Sequence, residues 1–198
     1  MRGDHGTRGR VLKALDALLT RTPVESLSIR EVARQAKVSH ALPSYHFGDK
    51  RGLLTAFAAE GYRILSLEIT ETLATHRGEP VYHRVALIGQ IYVKFALRNP
   101  NHFFIMFQYE GVNAEDPDFK HYSDIVFRSL YESISSYFPA GDNVTEKRLT
   151  ALSAWAIVHG LAMLMIGSRA RRRMNISHPN PVIETLTTEF AKKYLPPR

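Results

Sequence analysis

The sequence contains no cysteine, which removes disulfides, thiolate metal sites and a cysteine nucleophile, and fits a reducing compartment. It also lacks a phosphate-binding glycine loop, a nucleophile elbow and a zincin-type metal motif. His76 and His83 lie across a break in the helical pattern, with no carboxylate pattern to complete a metal site. Neither an enzyme nor a cofactor or metal is therefore expected. Residues 1–10 are polar and basic without the apolar core that a signal peptide requires. The longest near-apolar run, 151–166, is short for a bilayer and holds Ser153, His159 and Gly160. A cytoplasmic protein with no membrane partner is the expectation, with that run as a buried helix. Strands are not expected, because no segment joins β-branched enrichment to strict alternation.

What is present is a chain of 198 residues, 44% hydrophobic and 23% charged, with a net charge of +7. That size allows one large domain or a small module joined to a larger one. The charge is uneven. Residues 1–51 hold ten basic against five acidic side chains, so this quarter carries +5 of the total +7. An anionic partner, nucleic acid above all, is expected to meet the N-terminal quarter.

Helical periodicity runs through nearly every segment, so the chain reads as all-α, with about nine helices. Val11, Leu12, Leu15, Leu18 and Leu19 make the apolar stripe of a first helix, closed by Thr22 and Pro23. Ser28-Ile29-Arg30-Glu31 fits a capping box with Leu27 and Val32 at the staple positions, and the helix it starts ends near Ala36. A third helix is expected from Ser39 as N-cap to Phe47-Gly48, with Pro43 as a distorting fourth residue. Asp49 then caps a long helix to about Thr75. Further helices are expected from Val81 to the Asn99-Pro100 break, onward from Pro100, from about Asp118 to Phe138, from about Thr145 to Ser168, and from about Pro181 to Tyr194. A turn at 139–143 and a solvated basic loop at 169–173 separate the later ones.

Helix boundaries near Arg8, Ser28 and Ser39, with about four residues between the second and third, give helix-turn-helix spacing. The third helix offers Ser39, His40, Ser44, Tyr45 and His46, flanked by Lys37 and Lys50, all able to donate to phosphates or base edges. Spacing alone also fits a helical corner that only packs.

Leu27-Ser28-Ile29-Arg30-Glu31-Val32-Ala33, Ala36-Lys37-Val38-Ser39, Tyr45-His46-Phe47-Gly48-Asp49-Lys50 and Leu53-Leu54 together resemble the N-terminal signature of the TetR family of bacterial transcriptional regulators. The resemblance implies a DNA-binding domain over 1–54, with Ser39, His40, Ser44, Tyr45, His46 and Lys50 at or beside DNA; the flanking charge of Lys37 adds that residue to the expected contacts. Two departures stand out. Lys37 replaces the usual turn glycine, and Ser44 replaces the first of two aromatic residues. Tyr92-Val93-Lys94-Phe95-Ala96, Asn99-Pro100 and Trp155-Ala156-Ile157-Val158-His159-Gly160 resemble the Trp-His-Gly type of regulatory domain in that family. That implies an effector-binding and dimerisation domain over 55–198.

The expected effector site is Tyr92, Phe95, Phe103, Phe107, Phe127, Tyr131, Trp155 and His159, although aromatics at helical spacing are also ordinary core. Thirteen of the sixteen residues in 151–166 are apolar, so that helix needs cover on every side. A homodimer is expected through Leu161, Met165, Ile183, Leu186 and Phe190. The resulting reading is a repressor of a two-fold operator in double-stranded DNA, released by a small-molecule effector. The alternative is a helical binding protein or enzyme with a structural N-terminal corner.

Overall fold

The computed structural model describes residues 2–139 and 144–196, with side chains from Gly6 onward. The turn expected at 139–143 lies, beyond Pro139, outside the described residues. Among the described residues there are ten α-helices and no strand, which makes the chain all-α as expected. They are α1 (Arg2–Leu19), α2 (Ile29–Ala36), α3 (Ala41–Phe47), α4 (Lys50–Thr75), α5 (Val81–Arg98), α6 (Pro100–Phe107), α7 (Pro117–Ser135), α8 (Val144–Ile166), α9 (Ser168–Arg173) and α10 (Pro179–Tyr194). A 3-10 turn, Val24–Ser26, follows α1. The chain forms two compact units, one of residues 1–62 and 101–121 and one of 63–100 and 122–198. Helices α4 and α7 each contribute to both.

In the first unit, the α1 stripe of Val11, Leu15 and Leu18 is buried with Val32 and Ala33 of α2 and Leu53, Leu54 and Phe57 of α4. Burial of these side chains is the main driving force for this unit. Helix α6 packs tightly on α4: a β-carbon added at Gly61 would lie 2.5 Å from Met106 Sδ and 3.1 Å from His102 Cβ. The His102 ring stacks on Phe57, with centroids 3.7 Å apart and planes 13° apart. Its Nδ1 lies 2.9 Å from the Phe57 carbonyl oxygen. A carbonyl only accepts, so Nδ1 carries the proton. Asn101 Nδ2 donates to the Asp16 carboxylate at 2.9 Å and to the Asp16 carbonyl at 3.0 Å, fastening α6 to α1.

In the second unit, α5 packs against α8 and α10. Val85, Ala86, Ile134, Ala154, Ala191 and Leu195 form a buried cluster there. Gly89 permits the approach, since a β-carbon on it would lie 2.9 Å from Val158 Cγ1 and 3.2 Å from Thr187 Cγ2. At the surface, Lys94 pairs with Glu184 at 2.7 Å and Arg98 with Glu68 at 2.6 Å.

Several local expectations are corrected. The basic segment 169–173 is not a loop but most of α9, whose four arginines among six residues have the straight-chain side chains that helices tolerate well. Helix α7 ends at Ser135 rather than near Phe138, and Ser136 Oγ donates back to the Ser133 carbonyl at 2.7 Å. Helix α8 has 23 residues and is long and apolar enough by length and composition to cross a membrane. In this fold Ala154, Val158, Leu161, Ala162 and Met165 on it are buried.

Burial pushes the His102 pKa below its ordinary value, outweighing the opposing pull of the Phe57 carbonyl and the Asp16 and Glu60 carboxylates. Burial also lowers that of His159. In the unfolded chain both titrate near 6.5. Below about pH 6.5 the unfolded chain takes up protons that the fold refuses, so stability is complete above that pH and declines as pH falls towards the folded values. Urea unfolding should show lower stability at about pH 5.5 than at about pH 7.5. His102→Asn, whose amide can still donate to Phe57, should narrow the gap; an unchanged gap would locate the dependence elsewhere.

Candidate functional site

The N-terminal arrangement begins at Ser28, whose Oγ accepts the Glu31 N–H at 3.2 Å. Leu27 and Val32 are buried around it at the staple positions. Helix α2 ends in a Schellman turn, in which the Val38 N–H donates to the Ala33 carbonyl at 3.1 Å and the Lys37 N–H to the Arg34 carbonyl at 3.2 Å. Lys37 is the left-handed residue of that turn, at φ 54° and ψ 49°. The departure from glycine noted in the sequence is thus a residue holding a backbone conformation that a β-carbon disfavours.

Ser39 is not the N-cap of α3. His40 takes that position, with helical dihedrals and no side-chain cap bond, while the Ser39 carbonyl accepts the Leu42 N–H at 3.1 Å. This moves Pro43 to the third helical position, where a backbone N–H has no partner within the helix. Proline therefore removes no hydrogen bond from α3, and the expected distortion has no cause. Pro43 and Phe47 are buried one turn apart, while Ser39, His40, Ala41, Ser44 and Tyr45 face outward. Tyr45 is 83% exposed. His46 is half-buried, its ring between those of Tyr45 and Phe47 at 5.3 and 6.1 Å. The Arg8 guanidinium lies 5.9 Å above Phe47 and 3.8 Å from Asp118.

The corner between α3 and α4 is fixed by four groups. Gly48 stands at φ 73° and ψ −82°, and the Asp49 N–H donates to the Phe47 carbonyl at 3.0 Å. Asp49 Oδ1 accepts the Gly52 N–H at 2.8 Å, as its expected capping role requires. A β-carbon at Gly52 would lie 1.9 Å from the Phe47 carbonyl oxygen, so no other residue fits there without moving the corner. Lys50 Nζ donates to the Glu25 carbonyl at 2.9 Å, tying α4 to the 3-10 turn and leaving two donors of the ammonium for other partners.

The second unit encloses an apolar pocket built from α4, α5, α7, α8 and α10. Tyr92, Phe127 and Trp155 line it, together with Ile69, Gly89, Val158, Thr187 and Phe190. The free space is about 30 Å³, room for about one water molecule. A polar cluster adjoins it through Tyr92 and Trp155. Trp155 Nε1 donates to Tyr92 Oη at 3.2 Å, and His159 Nδ1 lies 2.8 Å from the same oxygen. Burial lowers the His159 pKa, so its imidazole is neutral near pH 7. Among the described residues, no charged side chain lines the pocket.

Of the eight expected effector contacts, Tyr92, Phe127 and Trp155 line the pocket, and His159 joins them from outside the lining through its bond to Tyr92. Phe95 is fully buried on α5, and Tyr131 is half-buried on α7 outside the lining. Phe103 and Phe107 belong to the first unit, where Phe107 packs edge-on against Tyr62. The aliphatic lining was missed because residues such as Ile69 and Val158 at helical spacing read as core. Thr187, a hydroxyl on an apolar face, was the one visible signal.

The expected dimer contacts divide similarly. Leu161, Met165 and Ile183 are buried within the chain, Phe190 lines the pocket, and Leu186 is 48% exposed. The outward stripe of α8 consists instead of Leu149, Leu152, Ile157, Met163 and Leu164. Nothing lies within 4 Å of a β-carbon built on Gly160 in the same stripe.

Residues 11–57 match the model of the tetR family of bacterial regulatory proteins, and residues 85–190 match that of the tetracyclin repressor-like C-terminal domain. No curated protein is significantly similar in sequence. Among solved structures, a protein of unknown function from Rhodococcus sp. RHA1 is 25% identical, with a TM-score of 0.76 over 96% of this chain and 95% of that one. A tetR-family regulatory protein from Rhodococcus RHA1 is 18% identical, with a TM-score of 0.71 over 97% and 98%. A TetR-family regulator from Streptomyces coelicolor is 23% identical, with a TM-score of 0.63 over 96% and 97%.

The left-handed turn at Lys37 generates a stability prediction. Lys37→Gly should relieve the steric cost of the β-carbon and raise unfolding stability by about 1 kcal/mol. Thermal and urea unfolding both measure it; a decrease would mean that the lysine side chain makes a stabilising contact greater than the backbone cost.

Proposed function

Because the chain belongs to the tetR family and is a ligand-responsive DNA-binding transcriptional regulator, we propose that the outward face of α3 reads an operator in the major groove. The observation that carries this reading is the division of α3, with Pro43 and Phe47 buried and Ser39, His40, Ser44 and Tyr45 presented outward. His40 and Ser44, one turn apart, meet base edges, while Lys37, Tyr45, His46 and Lys50 meet phosphates and set the register. The DNA-binding domain is residues 1–54, and residues 55–198 bind the effector and dimerise.

Two copies associate through α8 and α10, and their recognition helices enter successive major grooves about 34–36 Å apart. The contact is made by the uncovered stripe of α8 with Leu186 of α10, rather than by side chains already buried within one chain. The protein acts as a repressor. Its effector is a small, uncharged, mostly apolar molecule, since the pocket is lined by hydrocarbon and its one polar cluster is neutral. Because the pocket is nearly closed, the effector binds a conformation in which the lining has moved apart. Ile69 on α4 belongs to that lining, and α4 begins beside the recognition helix. Opening the pocket displaces α4 and lowers operator affinity through differential binding to the two conformations.

Selection of bound DNA fragments by the purified protein, followed by anisotropy titration, tests the reading; duplex binding with no sequence preference would count against it. His40→Ala should cost about 1–3 kcal/mol at one or two base pairs of each half-site and little elsewhere. A uniform loss on all sequences would make His40 a positioning residue. Leu164→Glu should place two carboxylates in one desolvated contact, shift the protein towards monomer in sedimentation, and weaken operator binding at least about a thousandfold. A variant that stays dimeric would locate the contact on another face.

A further inference from the structure

We propose that the segment joining α8 to α10 forms a second ligand site, for a phosphate group carried by a small molecule or free in solution. This site is independent of the apolar pocket and of the effector assigned to it. Between Glu146 and Glu184 the sequence has no acidic residue, yet the interval carries Arg169, Arg171, Arg172 and Arg173 in one run. These arginines therefore have no carboxylate of their own segment to neutralise them.

The backbone shapes a receptacle around two of them. At the end of α9 the Ile176 N–H donates to the Arg171 carbonyl at 2.8 Å, and Asn175 takes a left-handed conformation at φ 53°. The chain turns back there, and Ser168, Arg171, Arg172, Asn175 and Ser177 surround a concavity of about 330 Å³. Two guanidiniums with two hydroxyls and an amide form a donor-rich set suited to a tetrahedral oxyanion. Arginine adds planar, paired N–H groups that match phosphate oxygens.

Arg171 Nε is buried and has no hydrogen-bond partner in the structure. A buried guanidinium N–H without an acceptor costs free energy, and reorientation of Arg171, which lines the concavity, towards a bound anion gives it one. Compensation of the α8 and α9 C-termini explains an excess of positive charge near helix ends. It does not explain a donor withdrawn from solvent with nothing to accept it.

Calorimetric titration of the intact protein with inorganic phosphate, at ionic strength held constant with chloride, tests the site. Saturable binding is expected, and Arg171→Gln/Arg172→Gln should weaken it at least about tenfold while leaving the far-ultraviolet circular dichroism unchanged. Ser177→Ala, a milder change, should weaken it about threefold and covers the case in which the double variant fails to fold. Absence of saturable binding, or equal affinity in all three proteins, overturns the proposal. So does a double variant that binds phosphate like the wild type yet loses affinity for duplex DNA with a shallower salt dependence, which would assign the arginines to the nucleic acid backbone.

Discussion

The direction in which α3 points depends on the corner at Phe47, Gly48 and Asp49. Helix α3 has only seven residues, far too few to hold itself in water, so its orientation is inherited from what it is bolted to. Gly52 lets the Phe47 carbonyl sit where a side chain would otherwise stand, Asp49 ties down the first turn of α4, and Lys50 reaches back to Glu25. Few of these contacts are apolar. They are backbone and charge-assisted hydrogen bonds whose geometry is directional, so they fix an orientation as well as a contact.

Much of the first unit was legible in the sequence because its signals are local. Ser28 and Glu31 three residues apart, the staple at Leu27 and Val32, and Asp49 before the long helix each name a boundary by chemistry confined to one turn. The start of α3 was displaced by one residue because Ser39 and His40 both stand before an apolar run and only the tertiary setting chooses between them. The shift changes the meaning of Pro43 from a helix fault to a residue at an empty donor position. The second unit was less legible. A pocket wall and a core wall are both apolar at helical spacing, so Phe103 and Phe107 looked as good as Phe127 and Trp155 until the chain was folded. The all-round apolarity of α8 was visible, but not which of its residues, Leu161 or Leu164, turns inward.

The apolar pocket and the buried histidines share one physical theme. Both His102 and His159 are kept neutral by burial, the first by stacking on Phe57 and the second within the Tyr92 and Trp155 cluster. At these two sites the polar atoms are received by hydrogen bonds and no net charge is created. An ion entering the apolar pocket would lose its hydration and meet no counter-charge from its lining.

Pro43 has a further consequence for α3. A fixed φ at the third helical residue narrows the set of conformations available to this segment before folding. The helix therefore surrenders less disorder when it locks into place, and it meets any partner already shaped. Recognition by a rigid surface discriminates sharply, since a mismatched partner cannot be accommodated by local melting and re-forming. A short helix stiffened by a ring gains fidelity at the expense of adaptability.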